Sequence, residues 1–464
     1  MLPPDKKNPF LPGYGVIPPV LAGRDHLKRR FKERLQDIKD KQSNATVTVL
    51  MGPRGCGKTV LLEWLQREAR KRDLPVVNLA SDHIINLGSM AREIEQQFPP
   101  NLLQRINTLN LNVGGFGAGV GLAASSQHEE SDAFGKWLRV LGCEGGVLLI
   151  DEAHNMPPEI GQILYNKAQT IGRHYPLLLV IAGTPDLKLV LGQSHATFVE
   201  RAQIERIGRL SRADAHQALF EPMQKYVRFT DEAREHVLDE VQNYPYFIQL
   251  WGQALWDVLK ASPDPRPSMD VVKAARPMVE EKRMELYSGR ISELNNSDLL
   301  VPIAEMVWRL GKGQEPTRGD FNRVIHHLYS RPGFFLKRSE AEQKVLHTGF
   351  IWEPKIGAWE YGIPSLASHV REQAVDLLLE HFRDEGMLPA LLALAKSYGP
   401  ISNQPMTQKK ASLEATIKEN QGGYVPLTRF QEMGLLIPTP EPGYLQLVAP
   451  CLVQRILAKA DRLQ

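Results

Sequence analysis

The eight residues Gly52-Pro53-Arg54-Gly55-Cys56-Gly57-Lys58-Thr59 constrain this chain more than any other stretch, because they match G-x-x-x-x-G-K-[ST] in the surroundings that give the pattern meaning. Residues 46–50 before them form a β-branched, apolar run that predicts a strand. Residues 59–71 after them carry helical spacing. A glycine-rich turn between a strand and a helix aims backbone N–H groups inward, and the helix N-terminus adds the positive end of its dipole. Such a cradle takes phosphates. The spacing predicts that the backbone of Gly52, Pro53, Arg54, Gly55, Cys56 and Gly57 wraps them. Lys58 then sets a point charge against the β- and γ-phosphates of ATP, and Thr59 gives its hydroxyl to Mg²⁺.

A second motif completes the chemistry. Residues 147–150 are Val-Leu-Leu-Ile, a buried strand by composition, and Asp151-Glu152 follow at its C-terminal end. Open α/β sheets bind ligands at that end. Asp151 is placed to hold the shell of the metal, and Glu152 to polarise an attacking water.

The rest of the first half repeats the same alternation. Further apolar runs at 76–79 and 177–182 bring the strands to four, with helical stretches between them. Short apolar runs separated by helices predict a parallel sheet covered on both faces. The stretch 81–146 is long for one crossover. It holds helical segments near 87–98 and 131–141, and between them the glycine-rich run 109–124, which predicts a hairpin with Phe116 at its tip. That hairpin either protrudes toward a partner or packs on the sheet edge.

Past residue 205 the strand signal fades, and 211–226, 230–242, 246–261 and 268–288 read as helices, with Ser211 as a candidate N-cap. Farther on, a pattern occurs twice. Gly349-Phe350-Ile351-Trp352 leads through Gly357 to Ile363-Pro364-Ser365-Leu366, and Gly434-Leu435-Leu436-Ile437 leads through Gly443 to Ala449-Pro450-Cys451-Leu452. Each copy follows helical segments, which predicts two winged-helix-like modules. The expected organisation is therefore a proline-rich arm at 1–19 with six prolines, a phosphate-loop α/β domain at 20–209, a helical lid at 210–290, and winged-helix-like modules at 291–380 and 381–464.

Composition excludes several alternatives. With 42% hydrophobic residues in 464, each domain can bury a core, so wholesale disorder is excluded. Lys and Arg number 56 against 53 acids, a formal charge of +3, so the chain carries no global basic footprint for nucleic acid. Cys56, Cys143 and Cys451 are too far apart for a disulfide framework or a zinc site of usual spacing. The first residues lack the apolar core of a secretory signal, and no uncharged stretch reads as a membrane span, so a cytoplasmic location without membrane contact is expected.

With these motifs in order, the chain resembles an AAA+ ATPase of the branch near origin-recognition initiators and STAND signalling ATPases. Val20-Leu21-Ala22-Gly23-Arg24-Asp25 is similar to the box that lies beside adenine in that family, which implies base-side roles for Leu21 and Arg24. Asp151-Glu152-Ala153-His154 resembles its DExH-like acidic motif. Thr184, after the fourth strand, holds the sensor-1 place, where initiators usually carry Asn. Arg201 holds the place of an arginine finger, with Arg206 and Arg209 as rivals nearby. Asn243-Tyr244-Pro245 resembles the STAND GxP motif with Asn for Gly, and implies that Pro245 packs over the base.

The resemblance implies an ATP-driven switch that assembles into a homo-oligomer when ATP binds. Two outputs follow from the C-terminal modules. They dock on double-stranded DNA in an initiator or transposition-regulator manner, or they bind protein partners through 291–464 in a signalling or defence ATPase. Residues 317–348 carry six Lys/Arg against three acids, which favours DNA, whereas Glu340 and Glu342 on the helix entry have the wrong sign for phosphates. A metabolic kinase is disfavoured, because nothing signals a second substrate pocket.

Overall fold

The structure, a computed structural model, describes residues 5–13, 15–42, 47–98, 102, 127–194, 199–261, 267–292, 300, 304, 315–329, 337–398, 407–421, 427–447 and 456–459. The glycine-rich run 109–124 and Phe116 lie outside the described residues. The chain divides into two compact units, 1–279 and 280–464.

The first unit opens with α1 (Asp25–Lys39), whose Leu27, Phe31, Leu35 and Ile38 recur at helical spacing and are all buried. There follow β1 (Thr48–Met51), α2 (Lys58–Arg70), β2 (Val76–Ala80), α3 (Leu87–Gln97), α4 (Gln127–Cys143), β3 (Gly146–Asp151), α5 (Pro158–Gly172), β4 (Leu177–Gly183), α6 (Leu187–Gln193) and β5 (Gln203–Arg206). The five strands form one parallel sheet in the order β2-β3-β4-β1-β5. Parallel neighbours need crossovers, and the helices supply them on both faces.

The period-2 alternation of the strands divides the core in two. Leu148, Ile150, Leu179 and Ile181 face a layer that includes α3, α4 and α5. Val147, Leu149, Leu178, Val180 and Ala182 face α1 and α2. The four strands expected from apolar runs are thus present within a residue or two of their expected ends. The fifth, β5, was not among them. Its sequence Gln-Ile-Glu-Arg is polar, because it lies at the sheet edge, pairs only with β1 and is half-buried throughout.

Three helices follow in this unit, α7 (Arg212–Phe220), α8 (Asp231–Val241) and α9 (Pro245–Ala261), and α10 (Met269–Ser292) runs across the boundary at 279. Their starts are written in the sequence. The Ser211 hydroxyl accepts from the Asp214 N–H at 3.1 Å, and that of Thr230 accepts from the Ala233 N–H at 3.3 Å. Each satisfies a backbone donor that the first turn leaves unpaired.

The proline-rich N-terminal segment forms no helix or strand among its described residues and lies along α9. Asn8 donates to the Gln253 carbonyl at 3.1 Å and to Asp257 Oδ1 at 2.8 Å. Phe10 is fully buried against Gly252, where a Cβ would stand 2.3 Å from the ring.

The second unit contains α11 (Arg318–Tyr329), α12 (Arg338–Thr348), the hairpin β6 (Ile351–Lys355) and β7 (Ala358–Tyr361), then α13 (Pro364–Asp384) and α14 (Leu388–Ser397). It continues with β8 (Thr407–Lys409), α15 (Lys410–Gln421), α16 (Leu427–Glu432), β9 (Leu436–Pro438) and β10 (Tyr444–Leu447). The two sequence repeats thus both contain hairpins that follow helices, and the second gains β8 as a third antiparallel strand in the order β8-β10-β9. Phe321 stacks on Trp359 with ring centroids 4.3 Å apart, tying α11 to the first hairpin. Among the described residues no helix is long and apolar enough to cross a membrane.

Candidate functional site

The C-terminal edge of the parallel sheet collects the groups that the sequence singled out. β1 ends at Met51, and the Gly52 N–H bonds the Gly183 carbonyl at the end of β4 at 3.2 Å. The Ile207 N–H, just past β5, bonds the Met51 carbonyl at 2.8 Å. A Cβ at position 52 would stand 2.0 Å from the Ile207 carbonyl oxygen, so only glycine lets the three strand ends meet. At Gly57 the backbone has φ +94°, in the left-handed region that favours glycine, and a Cβ there would meet nothing within 4 Å.

Lys58 is 4% exposed, and its ammonium donates to the carbonyls of Gly52 at 2.8 Å and Pro53 at 3.0 Å. The ammonium is thereby held inside the loop. Pro53 and Cys56 are buried, Arg54 and Gly57 are half-buried, and Gly55 and Thr59 are exposed. Thr59 lies in the first turn of α2, and a Cβ on Gly15 of the N-terminal arm would come within 2.6 Å of its methyl.

Asp151 closes β3 half-buried, and its Oδ1 accepts from the Glu152 N–H at 2.9 Å. Glu152 has φ +48°, in the left-handed region that a residue with a Cβ seldom occupies. Burial pushes its carboxyl above the usual range; Lys58 and Arg54 pull it back, while Asp151 and Asp82 add to the rise. Asn155, beyond Glu152, donates to Asp82 Oδ1 at 2.7 Å and joins the segments that follow β2 and β3.

Thr184, 1% exposed, stands just past β4. Its hydroxyl donates to Asp186 Oδ1 at 2.5 Å, and its N–H donates to His154 Nδ1 at 3.3 Å. The hydroxyl proton is therefore engaged within the protein.

Arg24 donates to the Gly208 carbonyl at 2.6 Å and to the Cys56 carbonyl at 3.4 Å. It braces the phosphate loop and the chain past β5 from behind. Burial lowers its pKa, and Cys56 and Asp214 raise it. Leu21 is half-buried against the core layer of α1 and α2, and its carbonyl accepts from Lys28 Nζ at 2.9 Å.

Pro245 begins α9, half-buried. Its neighbour Tyr244, which the sequence did not mark for a role of its own, donates its hydroxyl to the Arg54 carbonyl. Only the aromatic at the helix start was visible beforehand, because the contact spans 190 residues.

Arg201 stands apart. It is exposed in the turn before β5 and has no hydrogen-bond or ion-pair partner among the described residues. Because β5 runs parallel to β1 with Gln203 opposite Thr48, position 201 lies at the N-terminal edge of the sheet, away from Gly52. Arg206 pairs in register with Met51 at the other end of β5, and Arg209 is half-buried just past it.

Among the described residues no cluster of three or more His, Cys, Asp or Glu could bind a metal alone. The two oxygens expected from the sequence are the Thr59 hydroxyl, in the first turn of α2, and the Asp151 carboxylate, at the end of β3. That set suits Mg²⁺, which is held by few protein oxygens and completed by phosphate and water.

Residues 40–191 match the AAA domain family. The chain is similar in structure to the ORC2 protein of Aeropyrum pernix, solved in ADPNP–ADP complexes, with TM-score 0.51 at 15% identity over 80% of this chain and 98% of that one. It is also similar to a Walker-type ATPase of Pyrococcus abyssi, with TM-score 0.49 at 15% identity over 75% and 95% of the two chains. A search of curated proteins by sequence found no match. The family match, the parallel sheet and the phosphate loop at its C-terminal edge define an AAA+ P-loop α/β fold. Residues 40–191 are thus the part of the chain that matches the AAA domain family.

Proposed function

We propose that the chain binds Mg·ATP at the C-terminal edge of the sheet and hydrolyses it as a molecular switch. The observation that carries this reading is the buried Lys58 ammonium, held on the Gly52 and Pro53 carbonyls of a glycine-built turn at the edge of the sheet where Asp151 ends β3.

In this reading the backbone from Gly52 to Gly57 and the start of α2 hold the phosphates, and Lys58 exchanges its carbonyl partners for β- and γ-oxygens. Thr59 and Asp151 would hold Mg²⁺, which supplies charge neutralisation on the phosphates. Glu152 orients and deprotonates the attacking water. A carboxyl already raised by burial is a better proton acceptor than a solvated one. Thr184 stays near the γ-phosphate end through its backbone. Residues 210–290 act as the lid, with Pro245 at the base-side helix start. Leu21 and Arg24 belong to the base side, Arg24 as a brace of the loop. Arg201, at the far sheet edge, serves as a finger for the site of a second copy, so ATP promotes self-association. A test is binding of labelled ATP by Lys58→Ala; binding equal to the native chain rejects the phosphate-loop assignment.

The output we assign to residues 291–464, as two winged-helix-like modules, is docking on double-stranded DNA, supported by the excess of cations at 317–348. A competing reading, protein partners in a signalling or defence ATPase, is favoured by the pairing of those cations. Arg338 bonds Glu342 at 3.1 Å, Arg323 lies 3.5 Å from Asp320, and Arg318 sits over Phe321 and Trp359. A shift assay with duplex across a salt series separates the two, since phosphate contacts make binding fall steeply with salt.

A further inference from the structure

His154 follows Glu152 by two residues, and its side chain is fully buried. Nδ1 accepts the Thr184 N–H at 3.3 Å. A ring nitrogen that accepts carries no proton, so the neutral imidazole bears its proton on Nε2. That nitrogen lies 3.3 Å from Glu152 Oε2, close enough for a charge contact though short of hydrogen-bond geometry as the two side chains stand. The ring packs beside the bare Cα of Gly183, where a Cβ would stand a tight 3.2 Å from His154 Nδ1. Glu152 itself has a left-handed backbone and caps the short turn Ala153–Asn155 that carries His154. On the far side, Thr184 is pinned by its own hydroxyl to Asp186.

We propose that His154 is a positioning residue for Glu152. A small turn of the Glu152 carboxyl brings Oε2 into line with Nε2–H, which then holds that oxygen and presents the other to the attacking water. Its Nδ1 fixes the ring to the backbone at the end of β4, so the strand end beside the sensor position and the water-orienting carboxylate move as one piece. This inference rests on the ATPase reading given above. Two-sided fixation of a proton acceptor by a neighbour is how enzymes keep such a group in a productive orientation, and its loss lowers turnover more than binding.

The experiment compares His154→Ala, His154→Asn and His154→Gln in the full-length chain, with ATP affinity and turnover at saturating ATP measured separately. An Asn amide reaches about as far as Nδ1 and can accept the Thr184 N–H, whereas a Gln amide extends to about the place of Nε2 and can donate to Glu152. We expect His154→Ala to bind ATP within about threefold of the native chain and to turn over at least about tenfold more slowly. His154→Gln should recover much of that loss, and His154→Asn should melt like the native chain yet remain slow. His154→Ala added to Glu152→Gln should cost nothing further, since the two act as a unit. Native turnover in His154→Ala, or recovery by Asn as good as by Gln, overturns the proposal while leaving the ATPase reading intact. A native chain that shows no Lys58-dependent ATP binding or turnover overturns both.

Discussion

The hydroxyl of Tyr244 donates to the carbonyl of Arg54, so the start of α9 grips the backbone of the phosphate loop from outside the sheet. The ring is 1% exposed, and its hydroxyl also stands where a side chain on Gly55 would be, 3.1 Å from such a Cβ. Whatever displaces the loop at Arg54 must displace the helix, and the reverse. Tyr244→Phe keeps the ring and removes this one bond. The expected result is ATP affinity lower by roughly 2- to 12-fold, the worth of one net hydrogen bond, with melting little changed. Titration of labelled ATP checks it, and native affinity in the variant shows that the grip does not bear on the ligand.

Glu152→Gln should part binding from hydrolysis. The amide keeps size and one acceptor but cannot take a proton, and Asp151 is untouched. ATP affinity should stay near native while turnover falls by about 10²-fold or more. Phosphate release under saturating ATP measures this directly; a turnover close to native would assign the water to another residue.

Arg201 should act between copies. It lies at the sheet edge opposite Gly52 and is exposed, so its own loop is out of its reach. Turnover per chain should rise with protein concentration, and light scattering should show association in ATP. Arg201→Ala should flatten that rise with ATP affinity retained. Mixing Arg201→Ala with Lys58→Ala should restore part of the activity, because the second variant lends its arginine to the intact loop of the first. A monomeric mass in ATP together with no restoration would make Arg201 a surface residue.

Phe10→Ala should loosen the arm from α9. The ring is fully buried on Gly252, and emptying such a site costs about 3 kcal/mol or more. The first unit should melt earlier, and limited proteolysis should cut near residue 10 in the variant well before the native chain. Equal cutting of both would mean that the contact contributes little.

What could be read from sequence follows from where burial is two-sided. Val147, Leu148, Leu149 and Ile150 announce a strand because both faces of β3 are covered, whereas Gln203-Ile204-Glu205-Arg206 keep half-exposed polar residues and announce nothing. Lys58, Asp151 and Glu152 were legible because their chemistry is tied to local context, a turn before a helix and the end of an apolar strand. The bracing of the loop by Arg24 and Tyr244 was not legible. Those bonds join positions 32 and 190 residues apart, and only the sheet order β3-β4-β1-β5 decides which strand ends become neighbours. His154 was visible as a letter in a motif; its tie to Thr184 depends on β3 and β4 lying side by side.

The seat of the arm also sets a timetable for the making of the chain. Asn8 leaves the ribosome 245 residues ahead of its partner at Gln253. At translation speeds of about 5–20 residues per second, the arm waits roughly 12 to 50 s for its binding surface to exist. During that interval Phe10 is an unshielded aromatic on a nascent chain, and the sheet domain must hold its shape without it. Closure of the arm on α9 is thus among the late events in the birth of this unit, and a bulky fusion placed directly ahead of residue 8 would interfere at that step.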